Sequence, residues 1–270
     1  MQQGHDPIIE RAAVSIRNLS KTFPLRDGGT LQVLRDITFD IHPGEFVSIV
    51  GASGCGKTTL LRILSGLERT GAGLIEIARP PDSPAGRPST ATVFQGDALL
   101  PWRTVIRNIE FGLERDRAVS RTERRRRAES LCKMVGLQRF ERSYPYEISG
   151  GMQQRVNIAR ALAVEPIVLL MDEPFAALDA QTREVMQQEL LKIWERDRRT
   201  VVFVTHQMDE AVYLSDRVVV LRSRPGRIGR ILDVPFARPR PLDIKRSSEF
   251  AALVAEVWSE IQSDVLGSAI

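Results

Sequence analysis

The stretch Gly51-Ala52-Ser53-Gly54-Cys55-Gly56-Lys57-Thr58-Thr59 fits the pattern G-x-x-x-x-G-K-[ST]. Its chemistry is the holding of a nucleoside triphosphate. Glycines let successive backbone N–H groups turn towards one phosphate, and a helix N-terminus adds a partial positive charge. Lys57 is placed to reach the β- and γ-phosphates, and the Thr58 hydroxyl to ligate Mg²⁺. Other residues supply groups for acting on such a ligand. Ile167-Val168-Leu169-Leu170-Met171 runs into Asp172-Glu173, an acidic pair at the end of a buried strand, where open α/β sheets bind ligands. Asp172 is expected to hold Mg²⁺ through water, and Glu173 to polarise a water for attack on the γ-phosphate. His206 follows the next apolar run, Val201-Val202-Phe203-Val204. From a neighbouring parallel strand its ring would lie near Glu173 and donate a hydrogen bond to the transferring phosphoryl group. Ser149-Gly150-Gly151 opens a second helix, whose N-terminus makes another anion site. Two phosphate-binding helix ends in one chain invite a dimer, each subunit completing the other's nucleotide site.

The elements that must position these groups follow from periodicity. Phe46-Val47-Ser48-Ile49-Val50 is an apolar, β-branched strand before the glycine loop, and Thr58 to Leu64 continues with helical spacing. Strand, loop and helix exceed what a glycine-rich turn before a core helix requires. Alternation at 14–17, 31–34 and 74–77 reads as strands, with a turn at Asp27-Gly28-Gly29, so a β-rich region surrounds the phosphate loop. Pro80, Pro81, Pro84, Gly86 and Pro88 mark a loop. From about 97 to 164 the texture is helical, with helices expected over 107–114, 122–135 and 153–163. A parallel-sheet pattern then resumes, with strands at 167–171, 201–204 and 218–221 and a helix over 181–197. Prolines beyond Arg222 imply an extended tail. It ends in an amphipathic helix with Phe250, Leu253, Val254, Val257, Trp258 and Ile261 on one face, expected to dock on its own subunit rather than in a partner's groove. The fold class is therefore α/β. It comprises a P-loop NTPase core of parallel sheet and flanking helices, an N-terminal antiparallel β region and a helical subdomain.

Composition narrows the surroundings. The chain has 270 residues, 43% hydrophobic and 27% charged, which suits a globular protein. No apolar run approaches the roughly 20 residues that span a bilayer, and the N-terminus lacks a signal-peptide core, so a cytoplasmic location is expected. Of the two cysteines, Cys55 lies in the phosphate loop and Cys132 on a helix, which disfavours a structural disulfide. The three histidines have no zinc-ligand spacing with them. The net charge of +4 owes much to Arg121, Arg124, Arg125, Arg126 and Arg127. Without interleaved aromatics this run reads as a solvated helix face paired by Glu123 and Glu129, and no nucleic-acid partner is expected.

Together these motifs resemble the ATP-binding subunit of an ABC transporter, in the family's order over residues 14 to 225. Beside the phosphate loop they include Val93-Phe94-Gln95, Ile148-Ser149-Gly150-Gly151-Met152, Asp172-Glu173, Ala177-Leu178-Asp179 and His206. The resemblance implies an ATPase with ATP and Mg²⁺, and a cassette over residues 12–225 followed by a C-terminal extension over 226–270. It further implies that Gln95 contacts Mg²⁺ and senses the attacking water, that Asp179 lies in the loop crossing to a second copy, and that Phe23 stacks on adenine where Tyr is commoner. The signature has Ile148 for the usual Leu and Met152 for a frequent Gln. With Glu173 and His206 intact, an active enzyme is implied. Phe94-Gln95-Gly96-Asp97-Ala98-Leu99-Leu100-Pro101-Trp102 is similar to cassettes of importers for nitrate, taurine and aliphatic sulfonates. So is Tyr146-Glu147-Ile148-Ser149-Gly150-Gly151-Met152-Gln153-Gln154-Arg155, with Met208-Asp209-Glu210-Ala211 behind His206. The implied partners are a second copy, a transmembrane permease touching Gln95 to Trp102, and indirectly a solute-binding protein. The subunit would lie peripherally at the cytoplasmic face of the membrane. An exporter cassette and a non-transport ATPase of the same kind are the alternatives. Beside Lys57 and a helix N-terminus, Cys55 is expected to favour its thiolate, so that alkylation would block activity.

Overall fold

Apolar runs form the centre of this molecule because both of their faces are covered. The computed structural model describes residues 12–79, 87–94, 99–114, 116 and 119–266. Strands β1 (Val14–Pro24), β2 (Thr30–Ile41) and β4 (Ala72–Ile77) form an antiparallel sheet in the order β2-β1-β4. A second sheet contains β3 (Phe46–Gly51), β5 (Thr90–Val93), β6 (Val168–Asp172), β7 (Thr200–Val204), β8 (Arg217–Arg222) and β9 (Arg227–Asp233). Its order is β5-β6-β7-β3-β8-β9, parallel throughout except for the last pair.

Alternate residues of the central strands enter two different cores. Phe46, Val50, Leu169, Met171, Val201, Phe203, Val218 and Val220 join one cluster. Val47, Ile49, Val168, Leu170, Val202, Val204, Val219 and Leu221 join the other. Each such side chain contributes roughly 1.5–3 kcal/mol relative to its exposed state. The second cluster also takes Leu60, Leu61, Ile63 and Leu64 of α1 (Lys57–Leu64) and the inner face of the antiparallel sheet.

Helices α2 (Val105–Phe111), α3 (Arg121–Met134) and α4 (Gly150–Ala163) pack on one another through Ile106, Ile109, Ala128, Cys132 and Val156. Ser120 caps α3 by accepting from the Glu123 backbone N–H. The arginine run is paired as its spacing implies. Arg126 and Arg127 each donate to Glu123 at 2.8 Å, and Arg125 to Glu129 at 2.6 Å. Helices α5 (Ala180–Asp197), α6 (Met208–Leu214) and α7 (Ser248–Leu266) complete the fold. No helix among the described residues is long and apolar enough to cross a membrane.

Several expectations change. The first two strands are far longer than the alternating cores at 14–17 and 31–34, because backbone pairing continues across bulges where the apolar pattern lapses. The sequence expectations include neither β5 nor α6; Thr90-Ala91-Thr92-Val93 is short and barely apolar, and parallel pairing with β6 makes it a strand. The tail beyond Arg222 is not simply extended. Its first part is β9, which pairs antiparallel with β8 and closes the sheet. Helix α7 docks on its own subunit, with Phe250, Val257 and Ile261 buried and Phe250 stacked on Phe236 at 5.9 Å. Trp258, read as part of that face, is 42% exposed instead. The proline-rich loop around Pro80, Pro81, Pro84 and Gly86 lies outside the described residues.

Candidate functional site

The parallel pairing brings three strand ends to one edge of the sheet. Val204 of β7 is in register with Ile49 of β3 on one side and Asp172 of β6 on the other. The residues just beyond these positions, the loop from Gly51, Glu173 and His206, therefore emerge together. A sheet edge outside the carboxyl ends of parallel strands is where ligands bind in such folds.

Within the loop, Gly56 stands just before α1 with φ +100°, and a Cβ there would lie 2.6 Å from Leu34 Cδ2. Only glycine combines that backbone angle with that closeness. On its far side the loop is backed by Gly226, where a Cβ would run into the Cys55 carbonyl. Ser53, Gly54 and Thr58 are exposed, Gly56 and Thr59 half-buried, and Gly51, Ala52, Cys55 and Lys57 buried. The Lys57 ammonium donates to the Gly51 carbonyl at 2.7 Å and the Ala52 carbonyl at 3.1 Å. It is thus kept inside the loop by two neutral acceptors that a phosphate oxygen would replace with a stronger, charged one.

Thr58 Oγ1 donates to Asp172 Oδ1 at 3.3 Å, joining the start of α1 to the end of β6. Burial pushes the Asp172 carboxyl above its ordinary range, and the Thr58 hydrogen bond only partly opposes this. Next to it, Glu173 has φ +44°, a left-handed conformation for a non-glycine residue. Such a backbone costs on the order of 1–3 kcal/mol and is concentrated at functional sites. Its N–H donates to the Val204 carbonyl at 2.9 Å, which ties it across to β7. Its Oε2 lies 3.0 Å from His206 Nδ1. The His206 side chain is half exposed while the strand behind it is buried.

Ser149, Gly150 and Gly151 form the start of α4. Ser149 caps the helix by accepting from the Met152 N–H at 3.4 Å. Ser149 and Gly150 are exposed, and among the described residues no hydrogen bond joins them to residues 51–59. Gly151 is buried, with a Cβ position 3.0 Å from Thr182 on α5. Asp179 caps α5 through the Thr182 N–H, and hydrogen bonding from Thr182, its side chain first and then this N–H, holds the Asp179 carboxyl below the ordinary range. Phe23, on β1 opposite Leu31, is half-buried with Lys21 Nζ 4.8 Å from its ring centre. Gln95 lies outside the described residues, as do Gly96, Asp97 and Ala98. In the rest of that segment, the Asn108 side chain bonds Leu100, Arg103 and Thr104, and Trp102 projects with 71% exposure.

The expectation for Cys55 is reversed. Its thiol is fully buried, and burial pushes its pKa up more than the nearby Lys57 ammonium, 3.9 Å from the sulfur, pulls it down. Low dielectric disfavours the thiolate. Iodoacetamide should modify Cys55 slowly in the native chain and fast after unfolding, as read by mass spectrometry of its peptide. Rapid native labelling would contradict the burial argument. Cys132, with its thiol pushed up to about 12 by burial, should behave alike.

Sequence reading overlooked Arg183. Its guanidinium donates to the carbonyl of Leu178 at 2.7 Å and of Phe175 at 3.4 Å, and to Gln207 Oε1 at 3.0 Å. It clamps the loop after Glu173 to the residue after His206. Its place one helical turn beyond the capping Asp179 was the available signal.

A family model described as ABC transporter matches residues 34–176. The chain belongs to the ABC transporter family. Members named for import resemble it over most of its length. A taurine import ATP-binding protein of Rhizobium johnstonii is 43% identical, over 93% of this chain and 97% of its own. An aliphatic sulfonates import ATP-binding protein of Bacillus cereus is 43% identical, over 92% and 96%. A nitrate import ATP-binding protein of Synechococcus elongatus is 47% identical, over 84% of this chain and 35% of its own. Among solved structures, a dimeric ATP-binding cassette in a post-hydrolysis state, bound to ADP and Pi, superposes with a TM-score of 0.69. It is 36% identical, covering 83% of this chain and all of the other. As an ABC cassette, the protein is an ATPase whose hydrolysis is coupled to transport.

Proposed function

We propose that this ABC cassette energises an importer for a small anion of the nitrate, sulfonate or taurine type. Residues 12–225 act as the cassette, with a helical subdomain over about 97–164, and 226–270 as its extension. Two copies pack head to tail, so that each phosphate loop faces Ser149, Gly150 and Gly151 of the other copy, with Asp179 in the crossing loop. The pair works peripherally at the cytoplasmic face of the membrane. It touches a permease through Gln95 to Trp102 and, through that, serves a solute-binding protein. Support for the class of solute comes from the relatives' names.

In this reading Gly51 to Thr59 cradle the phosphates, Phe23 stacks on adenine, and Lys57 exchanges its two loop carbonyls for β- and γ-phosphate oxygens. Glu173 orients a water and takes its proton. The His206 ring, 3.0 Å from that carboxylate, holds the transferring phosphoryl group as charge develops. Catalysis is mostly positioning and electrostatics. Mg²⁺ fits Thr58 and Asp172, an adjoining hydroxyl and desolvated carboxylate, with Gln95 as a further oxygen donor. When bound it would neutralise phosphate charge.

The reading rests on one observation. Lys57, Thr58, Asp172, Glu173 and His206 share one sheet edge, while Ser149 and Gly150 at the start of α4 are exposed and, among the described residues, make no hydrogen bond to residues 51–59 of their own chain. Ser149→Arg is expected to retain ATP binding and lose hydrolysis, and Lys57→Ala to lose both. Mixing the two variants should restore hydrolysis, because a mixed dimer contains one site with an intact loop and an intact signature. If the mixture stays as inactive as its components, sites shared between copies are ruled out.

A further inference from the structure

Beyond Gly226, which backs the phosphate loop, the C-terminal extension supplies none of the site residues described above, yet one of its side chains reaches the residues that hold His206. Lys245 lies in a 3-10 turn, Leu242–Arg246, leading into α7. Its ammonium donates to Gln187 Oε1 on α5 at 2.7 Å, lies 3.5 Å from Asp209 Oδ2, and sits 4.9 Å from the centre of the Tyr213 ring. Gln187 is fully buried, and its Nε2 donates to Glu210 Oε1 at 3.1 Å. The other oxygen of Glu210, a residue 2% exposed, accepts from Thr205 Oγ1 at 2.6 Å. Thr205 Oγ1 in turn accepts from the Gln207 N–H at 3.0 Å. Arg183 closes the network, with Nε 3.8 Å from Glu210 and Nη1 on Gln207. Thr205 and Gln207 are the two neighbours of His206 in the chain.

The chemistry gives this network a direction. An ammonium only donates, so it fixes which end of the Gln187 amide faces it. The NH₂ end must then face Glu210. Without Lys245 the fully buried Gln187 Oε1 loses its charged donor, and the amide can keep its bond to the acceptor-only Glu210 carboxylate only by leaving that oxygen unpaired in a low dielectric, or must shift to find another donor, either of which is costly. The strain falls on Thr205 and on the loop carrying His206.

We propose that Lys245 is a positioning residue for His206, acting through Gln187, Glu210 and Thr205 to set the imidazole against Glu173. The C-terminal extension thereby acts on the catalytic apparatus of the cassette through a side chain that lies outside it. This rests on the reading of His206 as a catalytic group.

The test uses the full chain. Lys245→Met keeps the apolar stem over Tyr213 and removes the ammonium, so the fold is retained. Imidazole proton NMR is tractable with three histidines, and His206→Ala identifies the relevant signal. The His206 signal should move in Lys245→Met and return in Lys245→Arg. The kcat for ATP hydrolysis should fall on the order of 10-fold with KM changed less than about 2-fold, and Lys245→Arg should recover it. A contribution to stability alone would leave both kcat and the ring signal unchanged. An unmoved His206 signal in Lys245→Met overturns the positioning by itself. Wild-type turnover in His206→Ala overturns the catalytic reading of His206 and with it the consequence for kcat, and the ring signal distinguishes the two failures.

Discussion

Glu173→Gln is expected to bind ATP within about threefold of the parent affinity and to hydrolyse it at least about 100-fold more slowly. The substitution keeps the volume and one hydrogen-bonding oxygen but removes the basic carboxylate. Binding is spared because the phosphates are held from the other side, by the loop, Lys57 and the start of α1. Turnover is lost because an amide oxygen can still accept a hydrogen bond from the water but cannot take its proton. The left-handed backbone at Glu173 holds the carboxylate 3.0 Å from His206. The substituted amide would inherit that backbone, so the effect isolates the charge from the geometry. If ATP closes the dimer and hydrolysis opens it, the variant should also accumulate as an ATP-loaded dimer in gel filtration. Near-parental turnover in the assembled transporter would remove Glu173 from the base role.

Lys57→Ala should weaken ATP binding by at least about 30-fold, the value of losing one charge-assisted contact of about 2 kcal/mol. The ammonium is already buried and held by the Gly51 and Ala52 carbonyls, so little ordering is needed when a phosphate arrives. Removing it leaves those two carbonyls short of a donor and the phosphate without its central cation. The fold should survive, since Lys57 contributes no apolar packing to either core. Isothermal titration with ATP reads the affinity, and circular dichroism reads the fold. A loss of less than threefold would mean that the loop backbone, rather than the lysine, carries the triphosphate.

Much of the site is legible in the residues because its chemistry is local. A phosphate loop needs glycines, a lysine and a hydroxyl at fixed spacing within one strand–loop–helix unit, and residues 46–64 contain all of it. The buried runs at 167–171 and 201–204 are legible for a similar reason. Strands covered on both faces must be apolar at every position, and the structure divides those positions between two cores. Where burial is partial the signal fades. β5 and β9 are strands through pairing with a neighbour, and no periodicity of their own announces them.

Sequence also misjudges what depends on the dielectric. Cys55 beside Lys57 suggests a thiolate, but the fold removes water from the sulfur, and that outweighs the neighbouring charge. Burial is a property of the packed molecule and cannot be read from neighbours in the chain.

Spacing within a motif fixes local geometry, so residue order was enough to say which chemical groups this protein has and that they serve a nucleoside triphosphate. How those groups meet was settled by the packed fold. Parallel register across β6, β7 and β3 brings Glu173 within hydrogen-bonding distance of His206, although 33 residues separate them. A chain of hydrogen bonds through Gln187 and Glu210 likewise links Lys245 to Thr205, the neighbour of His206, although the two lie 40 residues apart in the sequence. Contacts of that kind arise from strand order and from the need to pair every polar group taken out of water, and neither leaves a pattern along the chain.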